Sequence, residues 1–244
     1  MNHGYKLGKL APRHDLRTLR MAKYATPTLV APKRMDWSLG VSRWPMLAND
    51  RIGDCAVAGP AHMIQAWSAN SGGNFVPTDE QVIADYSAIS GYNPGDSSTD
   101  NGCVMLDVMN YWRRTGICGH KIDGYVALTP GNRDHVALAI DLFGGCALGF
   151  ALPKEAQGQE VWSLLDGSRP GTWGGHMVPA LNYGPTGVVV VTWGGLLTVT
   201  WDFMDRFCDE GFGVLAPDWA TLAKNSPGNV NYAQLEEDLK EIAG

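Results

Sequence analysis

The sequence has 244 residues, is 45% hydrophobic and 18% charged, and carries a formal net charge of −6 at pH 7. A chain of this length can bury the core of one large domain or of two small lobes. No apolar run approaches the roughly 20 residues of a membrane span, which excludes a membrane-spanning protein. The first 30 residues show no signal-peptide pattern, so we expect a cytoplasmic location.

Residues 1–34 form a basic arm, with eight Lys or Arg residues against one acid. Such an arm can bind nucleic acid or a membrane, or it can lie as a strap across its own acidic body. We favour the strap, because the basic residues form no dense run and the arm has apolar side chains suited to docking: Leu10, Leu16, Leu19, Met21 and Tyr24. We therefore expect neither nucleic acid nor a membrane as a partner.

Three helices are predicted in the first half of the chain. Residues 55–70 carry apolar side chains at spacings of three and four, which places them on one helix face. Residues 78–90 begin with the capping pattern of Thr78 and Gln81. A third helix at residues 104–116 ends at Gly116.

The sequence pattern changes near residue 130. The segment RDHVALAIDLFGG predicts a helix that ends in glycines. Short β-rich runs separated by Gly-containing turns follow it: CALGFAL, HMVPALNY, GVVVVTW, LLTVTW and GFGVL. Helices followed by an antiparallel sheet indicate an α+β protein with two lobes. An amphipathic helix at residues 231–243, docked on the body, is the last predicted element.

Five cysteines are present, at wide spacings and without a CxxC or paired zinc pattern. Reduced thiols are expected in the cytoplasm. The Cys-Gly-His run at residues 118–120 is only a weak metal signal, and we expect no metal and no cofactor. Cys55 follows a Gly-Asp turn, and four roles are open to it: packing, a disulfide, a metal site or a nucleophile.

The nucleophilic role follows from the place of Cys55 at a helix start. The positive end of the helix dipole favours a thiolate, so we expect a lowered pKa. The thiol also needs a base. His62 lies roughly 10 Å along the same helix, too far to pair, and is interpreted as a packing residue. His176 follows a Gly-Gly turn at the start of an apolar strand, and such an exposed cleft edge suits a base.

A series of motifs runs over most of residues 34–215. MDW is followed by Asn49, six residues before Cys55, and then by PTDEQVI and DNGCVMLDVMNYWRRTGI. His176, 121 residues after Cys55, leads to a strand ending in NYG, then to a Trp-Gly motif and the GFGVL strand. This ordered series resembles the papain-like cysteine peptidases. PTDEQVI resembles the family's Leu-Ser-Glu-Gln helix start, DNGCVMLDVMNYWRRTGI resembles its Asn-Gly-Gly loop and the following helix, and the Cys-to-His interval also suits the family.

The resemblance implies a papain-like two-lobe α+β fold with the active-site cleft between the lobes. After the arm at residues 1–35, the helical lobe would span 36–125 and the β-rich lobe 126–215. A C-terminal extension would occupy residues 216–244.

The resemblance also implies the roles of individual residues. Cys55 would be the nucleophile and His176 the general base. Asn49 would donate an amide N–H to the oxyanion, and Thr192 would stand where an Asn orients the histidine. Four further residues would lie beside the substrate: Gly102, Cys103, Gly175 and Trp193.

Several positions depart from the family pattern. Asn49 replaces a Gln that is one methylene longer, and Thr192 replaces the orienting Asn. Gly175 stands where Asp or Asn is common. Ile52 replaces a disulfide cysteine, which leaves Cys103 without a partner. The arm is shorter than the usual inhibitory propeptide.

Three functions are compatible with these residues. The leading hypothesis is a thiol hydrolase that cleaves peptide or isopeptide bonds in a peptide or protein substrate through an acyl-enzyme. A peptidoglycan endopeptidase or amidase is an alternative, although its Cys-to-His interval is usually shorter. The other alternative is a catalytically weak papain-like scaffold in a binding or virion-assembly role, in a phage or bacterial protein, because Asn49 and Thr192 replace the usual residues.

Overall fold

The computed structural model describes residues 5–25, 30–217 and 237–238. The helices in these ranges are α1 (Met21–Tyr24), α2 (Cys55–Asn70), α3 (Asp79–Ser90), α4 (Met105–Arg114), α5 (Arg133–Phe143) and α6 (Trp201–Phe207). The strands are β1 (Met35–Asp36), β2 (Gly124–Ala127), β3 (Cys146–Leu152), β4 (Val161–Trp162), β5 (Gly174–Gly184), β6 (Gly187–Thr192), β7 (Gly195–Thr200) and β8 (Cys208–Leu215).

These strands form one sheet in the order β2-β8-β3-β5-β6-β7-β4, with β1 paired to β5. The pairing of β4 with β7 is parallel, and the others are antiparallel. Strand β3 lies between β5 and β8, so that Gly149 pairs with Met177 on one side and with Glu210 on the other. This register brings the strand that carries His176 close to an acidic residue of β8.

Helix α2 confirms the predicted helix at residues 55–70, but its environment differs from the prediction. All its residues from Cys55 to Trp67 are buried, whereas the spacing predicted one apolar face. Small and apolar residues surround the helix axis, which is the pattern of a core helix. Pro60 lies inside the helix and donates no backbone hydrogen bond. The helix therefore runs through the centre of the molecule and packs against β5.

The core consists of two groups of buried side chains. The first surrounds α2, α3 and α4 and includes Trp67 and Trp112. The second packs α5 and α6 on the sheet and includes Phe150, Trp162 and Phe203. A helical group beside a β-rich group confirms the predicted α+β class, while the domain boundaries stay a prediction.

Local capping signals fix the ends of α3 and α5 and the start of α6. Thr78 and Gln81 form the predicted capping box of α3, and α5 ends at Gly144 in the left-handed conformation. The prediction that LLTVTW is a strand is wrong at its last residue. The chain leaves β7 at Thr200, whose side chain accepts the Phe203 N–H and starts α6.

The described part of the arm is a strap, as predicted. Lys6 pairs with Asp100, and Arg13 pairs with Asp107. These contacts join the basic arm to the acidic body and favour the strap over an arm held free for nucleic acid.

The apolar residues of the arm are only partly docked. Met21 and Tyr24 are buried, but Leu16 is 95% exposed and Leu10 is 43% exposed, so the docking prediction is wrong for these two leucines. The predicted C-terminal helix lies outside the described residues except for 237–238. There Asp238 is buried and accepts a hydrogen bond from Tyr24 at 2.6 Å.

No helix among the described residues is long and apolar enough to cross a membrane. Within the same part of the chain, no group of three or more His, Cys, Asp or Glu side chains is arranged to hold a metal ion. All five cysteines are free thiols. A disulfide role for Cys55 is therefore excluded.

Candidate active site

Cys55 is the first residue of α2, and its side chain is buried. The backbone N–H groups of Met177 and Gly8 face its sulfur and favour the thiolate. Burial raises the pKa of the Cys55 thiol to about 11, because the thiolate loses its hydration, and the two N–H groups offset only part of this. The lowered pKa expected from the helix dipole is therefore wrong for this arrangement, in which the thiol is neutral.

His176 lies in β5, next to Met177, whose backbone N–H faces the Cys55 sulfur. Its Nε2 is 2.8 Å from Oγ1 of Thr192 in β6. The ring is fully buried, so the predicted exposed cleft edge is wrong. Burial lowers the pKa of His176 to about 3, because the imidazolium would lose its hydration, and the ring is neutral.

The contact with Thr192 indicates which nitrogen of His176 carries the proton. Nδ1 has no hydrogen-bond partner among the described residues. A buried N–H without a partner is rarer in proteins than an acceptor without one, so we place the proton on Nε2. Nε2 then donates to the Thr192 hydroxyl, and Nδ1 keeps a lone pair that can accept a proton.

Aromatic rings cover the His176–Thr192 bond. The Trp193 ring stacks on His176 with centroids 4.5 Å apart and planes 12° apart. Tyr5 of the arm stacks on Trp193 with centroids 4.3 Å apart. Trp162 and Trp173 pack against Trp193 as well. These rings keep water from the hydrogen bond that holds the imidazole.

Asn49 is buried beside the start of α2, but its amide is already engaged. Its Nδ2 donates to Oδ1 of Asp54 at 2.9 Å. One of the two amide hydrogens is therefore used within the protein, and donation of the other to an oxyanion stays a prediction.

Asp54 is a site residue that the sequence analysis missed. It is the N-cap residue of α2, yet its side chain makes no capping hydrogen bond. Its Oδ2 has no partner among the described residues, and burial raises its pKa well above the usual value. Burial thus favours the protonated form of the carboxyl next to Cys55. The signal was present in the Gly-Asp-Cys turn, where Asp precedes a helix.

The cleft in front of Cys55 is filled by the arm. All four predicted substrate-binding residues contact it: Gly102, Cys103 and Gly175 through its backbone, and Trp193 through Tyr5. Lys9 N–H donates to the Gly175 carbonyl at 3.0 Å, and Leu10 N–H donates to the Cys103 carbonyl at 2.9 Å. Cys103 N–H donates to the Gly8 carbonyl at 2.8 Å, and a Cβ on Gly102 would lie 2.1 Å from that oxygen. An arm shorter than the usual propeptide therefore does reach the cleft.

Asp100 holds the arm at the entrance to the cleft. Its carboxylate accepts hydrogen bonds from Lys6 at 2.7 Å, from Tyr86 at 2.6 Å and from the Gly53 backbone at 3.0 Å. Burial alone would raise the pKa of Asp100, but these hydrogen bonds outweigh it and lower the pKa. The sequence analysis missed this residue, because no local pattern joins Lys6, Asp100 and the loop at Gly53.

Comparisons with known proteins identify the fold. No protein-family model matches the sequence, and no curated protein matches it. Xylellain, a cysteine protease from Xylella fastidiosa, matches with a TM-score of 0.68 and 14% identity over 87% of this chain and 96% of that chain. This chain has the papain-like fold.

Two further structures with the papain-like fold are similar. The procathepsin L2 proteinase from the larval midgut of Tenebrio molitor has a TM-score of 0.60 and 13% identity, over 87% of this chain and 79% of that chain. The Carica candamarcensis cysteine protease CMS1MS2, in complex with E-64, has a TM-score of 0.55 and 13% identity over 76% of this chain and 99% of that chain.

Within the papain-like fold, His62 takes the packing role that was predicted for it. Its Nε2 lies 2.9 Å from the Pro45 carbonyl, and its ring meets Trp44 edge-on. Burial lowers the pKa of His62 to about 4. His62 is thus a neutral core residue, and His176 is the histidine whose neighbouring amide, that of Met177, faces the Cys55 sulfur.

Proposed function

We propose that the protein is a thiol hydrolase that cleaves peptide or isopeptide bonds through Cys55 and His176. One observation carries the proposal. The backbone N–H of Met177, the residue next to His176, faces the Cys55 sulfur. The ring of His176 is held through Nε2 by Thr192, and its Nδ1 has no hydrogen-bond partner among the described residues. A thiol, a base and a group that orients the base are the parts of nucleophilic catalysis.

The same geometry supports a closed, inactive state. The backbone N–H of Gly8 faces the Cys55 sulfur, and the Gly8 carbonyl oxygen accepts a hydrogen bond from Cys103 N–H. Attack by Cys55 on the peptide carbonyl of Gly8 is therefore impeded, although the arm occupies the path of a substrate. The arm also excludes water, which accounts for the raised pKa of Cys55 and the lowered pKa of His176.

Chemistry begins when the arm leaves the cleft. Water then solvates the pair, and the thiol proton moves to Nδ1 of His176. The thiolate attacks the substrate carbonyl carbon, and the Cys55 backbone N–H and the Asn49 amide stabilise the oxyanion. The imidazolium protonates the leaving amine, and a water molecule then hydrolyses the acyl-enzyme.

Hydrolysis of fluorescently labelled casein by the full-length protein tests this proposal. Gly8→Ala opens the cleft, because a Cβ on Gly8 would lie 1.7 Å from the Gly53 carbonyl oxygen. We expect little turnover by the unmodified protein, clear turnover by Gly8→Ala and none by Gly8→Ala with Cys55→Ser. A Gly8→Ala protein with an accessible Cys55 and no turnover on casein or on peptides would contradict the proposal.

One observation favours the catalytically weak scaffold as a second candidate: the thiol is buried and neutral in the described arrangement. A scaffold of this kind would keep the arm in place permanently. An opened protein that neither cleaves peptides nor clears peptidoglycan in a zymogram would support it. Clearing of peptidoglycan without peptide turnover would instead support the cell-wall alternative.

A further inference from the structure

The side chain of Lys9 is buried in the cleft beside the candidate nucleophile. Its Nζ lies 2.9 Å from Asp209 Oδ1 and 3.1 Å from Glu210 Oε1, and it donates to the Leu10 carbonyl at 3.2 Å. The Lys9 side chain is only 1% exposed, and that of Glu210 is 6% exposed. A lysine is almost never buried to this extent unless it is paired.

The body of the protein is shaped around this lysine. Gly149 of β3 lies under its aliphatic stem, and a Cβ there would stand 2.3 Å from Lys9 Cε, 2.7 Å from Met105 Sδ and 2.8 Å from Glu210 Cγ. The absence of a side chain at Gly149 therefore leaves the slot that the lysine stem fills. We call the space bounded by Gly149, Met105, Asp209 and Glu210 the acidic pocket.

The acidic pocket lies one residue from the reacting sulfur. Gly8 is the residue whose N–H reaches Cys55, and Lys9 follows it. Lys9 is also anchored through its backbone to Gly175, next to His176. A peptide in the cleft would place a neighbouring side chain into the same pocket once the arm has left.

The acidic pocket has more carboxylates than the single ammonium group of Lys9 can neutralise. One ammonium group faces two carboxylates, and Glu210 is almost fully buried. Departure of Lys9 would leave both carboxylates facing the cleft without a cation. A second ammonium or guanidinium group is the chemistry that would satisfy them.

We propose that the acidic pocket is a specificity site for a basic side chain, Lys or Arg, next to the substrate residue that is attacked, and that Lys9 occupies it in the closed state. The inference rests on the proposed hydrolase function for its place beside the scissile bond. The recognition itself depends only on Asp209, Glu210 and the slot at Gly149.

Binding to the full-length Lys9→Ala protein tests the pocket without requiring turnover. The probes are N-acetyl-Gly-Lys-Leu-amide and the same peptide with norleucine, which keeps the stem and lacks the ammonium group. Calorimetry should give at least tenfold tighter binding of the lysine peptide. The preference should disappear when Asp209→Asn and Glu210→Gln are added.

Equal affinity for the lysine and norleucine peptides would overturn the proposal. Lys9→Ala leaves two carboxylates unpaired and risks a folding defect, so Gly8→Ala serves as the second variant, in which Lys9 is withdrawn with the arm. Alkylation of Cys55 by iodoacetamide is followed in parallel. An unreactive Cys55 with an intact preference for the lysine peptide would contradict the hydrolase function and support the specificity pocket. A reactive Cys55 without that preference would contradict the specificity pocket and leave the hydrolase function supported.

Discussion

The arm is held in the cleft by contacts that a single methyl group should break. A Cβ on Gly8 would lie 1.7 Å from the Gly53 carbonyl oxygen, against an ordinary carbon–oxygen contact of about 3.3 Å. The new Cβ would overlap main-chain atoms of Gly53, so no side-chain rotation relieves the overlap. Residues 8–10 must therefore leave the position in which they make three backbone hydrogen bonds with Cys103 and Gly175.

The size of the effect follows from those hydrogen bonds. At about 1 kcal/mol each, their loss shifts the balance between closed and open states by about 3 kcal/mol, or roughly 100-fold. Iodoacetamide labelling of Cys55 at pH 8, followed by mass spectrometry, measures this balance because only the open state exposes the sulfur. We expect labelling of Gly8→Ala to be roughly 100-fold faster than that of the unmodified protein.

A matched glycine variant controls for the added methyl group. A Cβ on Gly184 would meet nothing within 4 Å, so Gly184→Ala should label at the rate of the unmodified protein. If a folded Gly8→Ala protein also labelled at that rate, residues 8–10 would not be what closes the cleft, and the reasoning would be refuted.

Three further predictions concern the candidate site and its surroundings. In the Gly8→Ala background, Thr192→Val should lower kcat by 10- to 100-fold, because His176 loses its hydrogen-bond partner. Thr192→Ser should retain most of the kcat, and an unchanged kcat in Thr192→Val would remove Thr192 from the mechanism. Asp54→Asn should change the unfolding free energy by less than about 1 kcal/mol, because burial disfavours the charged carboxylate and an amide oxygen can also accept the Asn49 N–H. Asp54→Ala should cost about 1–3 kcal/mol, because it leaves the Asn49 amide unpaired; equal costs in urea unfolding would contradict this. Burial lowers the pKa of His62 to about 4 and that of His176 to about 3, below the unfolded value of about 6.5. The protein should therefore keep its full stability above pH 6.5 and lose about 1.4 kcal/mol of unfolding free energy per pH unit for each histidine as the pH falls towards those values. His62→Gln should reduce that slope in urea unfolding between pH 6.5 and 4.5, and an unchanged slope would argue against a neutral buried His62.

Most of the sequence predictions rested on contacts between residues close in the chain and on the order of the motifs along it. The capping box at Thr78 and the glycine end of α5 fix helix boundaries through contacts within a few residues, so they were predictable. Thr192 was predicted from the family resemblance, and the structure places it beside His176 on the adjacent strand of one hairpin. The start of α6 was missed although Thr200 carries an N-cap signal, because the β-rich run before it continued into Trp201.

The protonation state of the site could not be predicted from local sequence. A cysteine at a helix start favours a thiolate only while water reaches it, and the burial of Cys55 depends on Gly8, which is 47 positions away in the chain. The same non-local docking brings Lys9 to Asp209 and Glu210, 200 residues further on. These contacts arise from the path of the arm across the finished fold, which no spacing of residues encodes.

The pairing of Cys55 with His176 is tested most directly by the pH dependence of Cys55 alkylation in the opened protein. The Gly8→Ala protein is compared with Gly8→Ala carrying His176→Ala, and adducts are mapped by mass spectrometry. A thiolate paired with an imidazolium should react well below pH 7, whereas without His176 the rate should fall about tenfold per pH unit below the ordinary thiol pKa of about 8.5. Identical pH profiles in the two proteins would contradict the proposed pair.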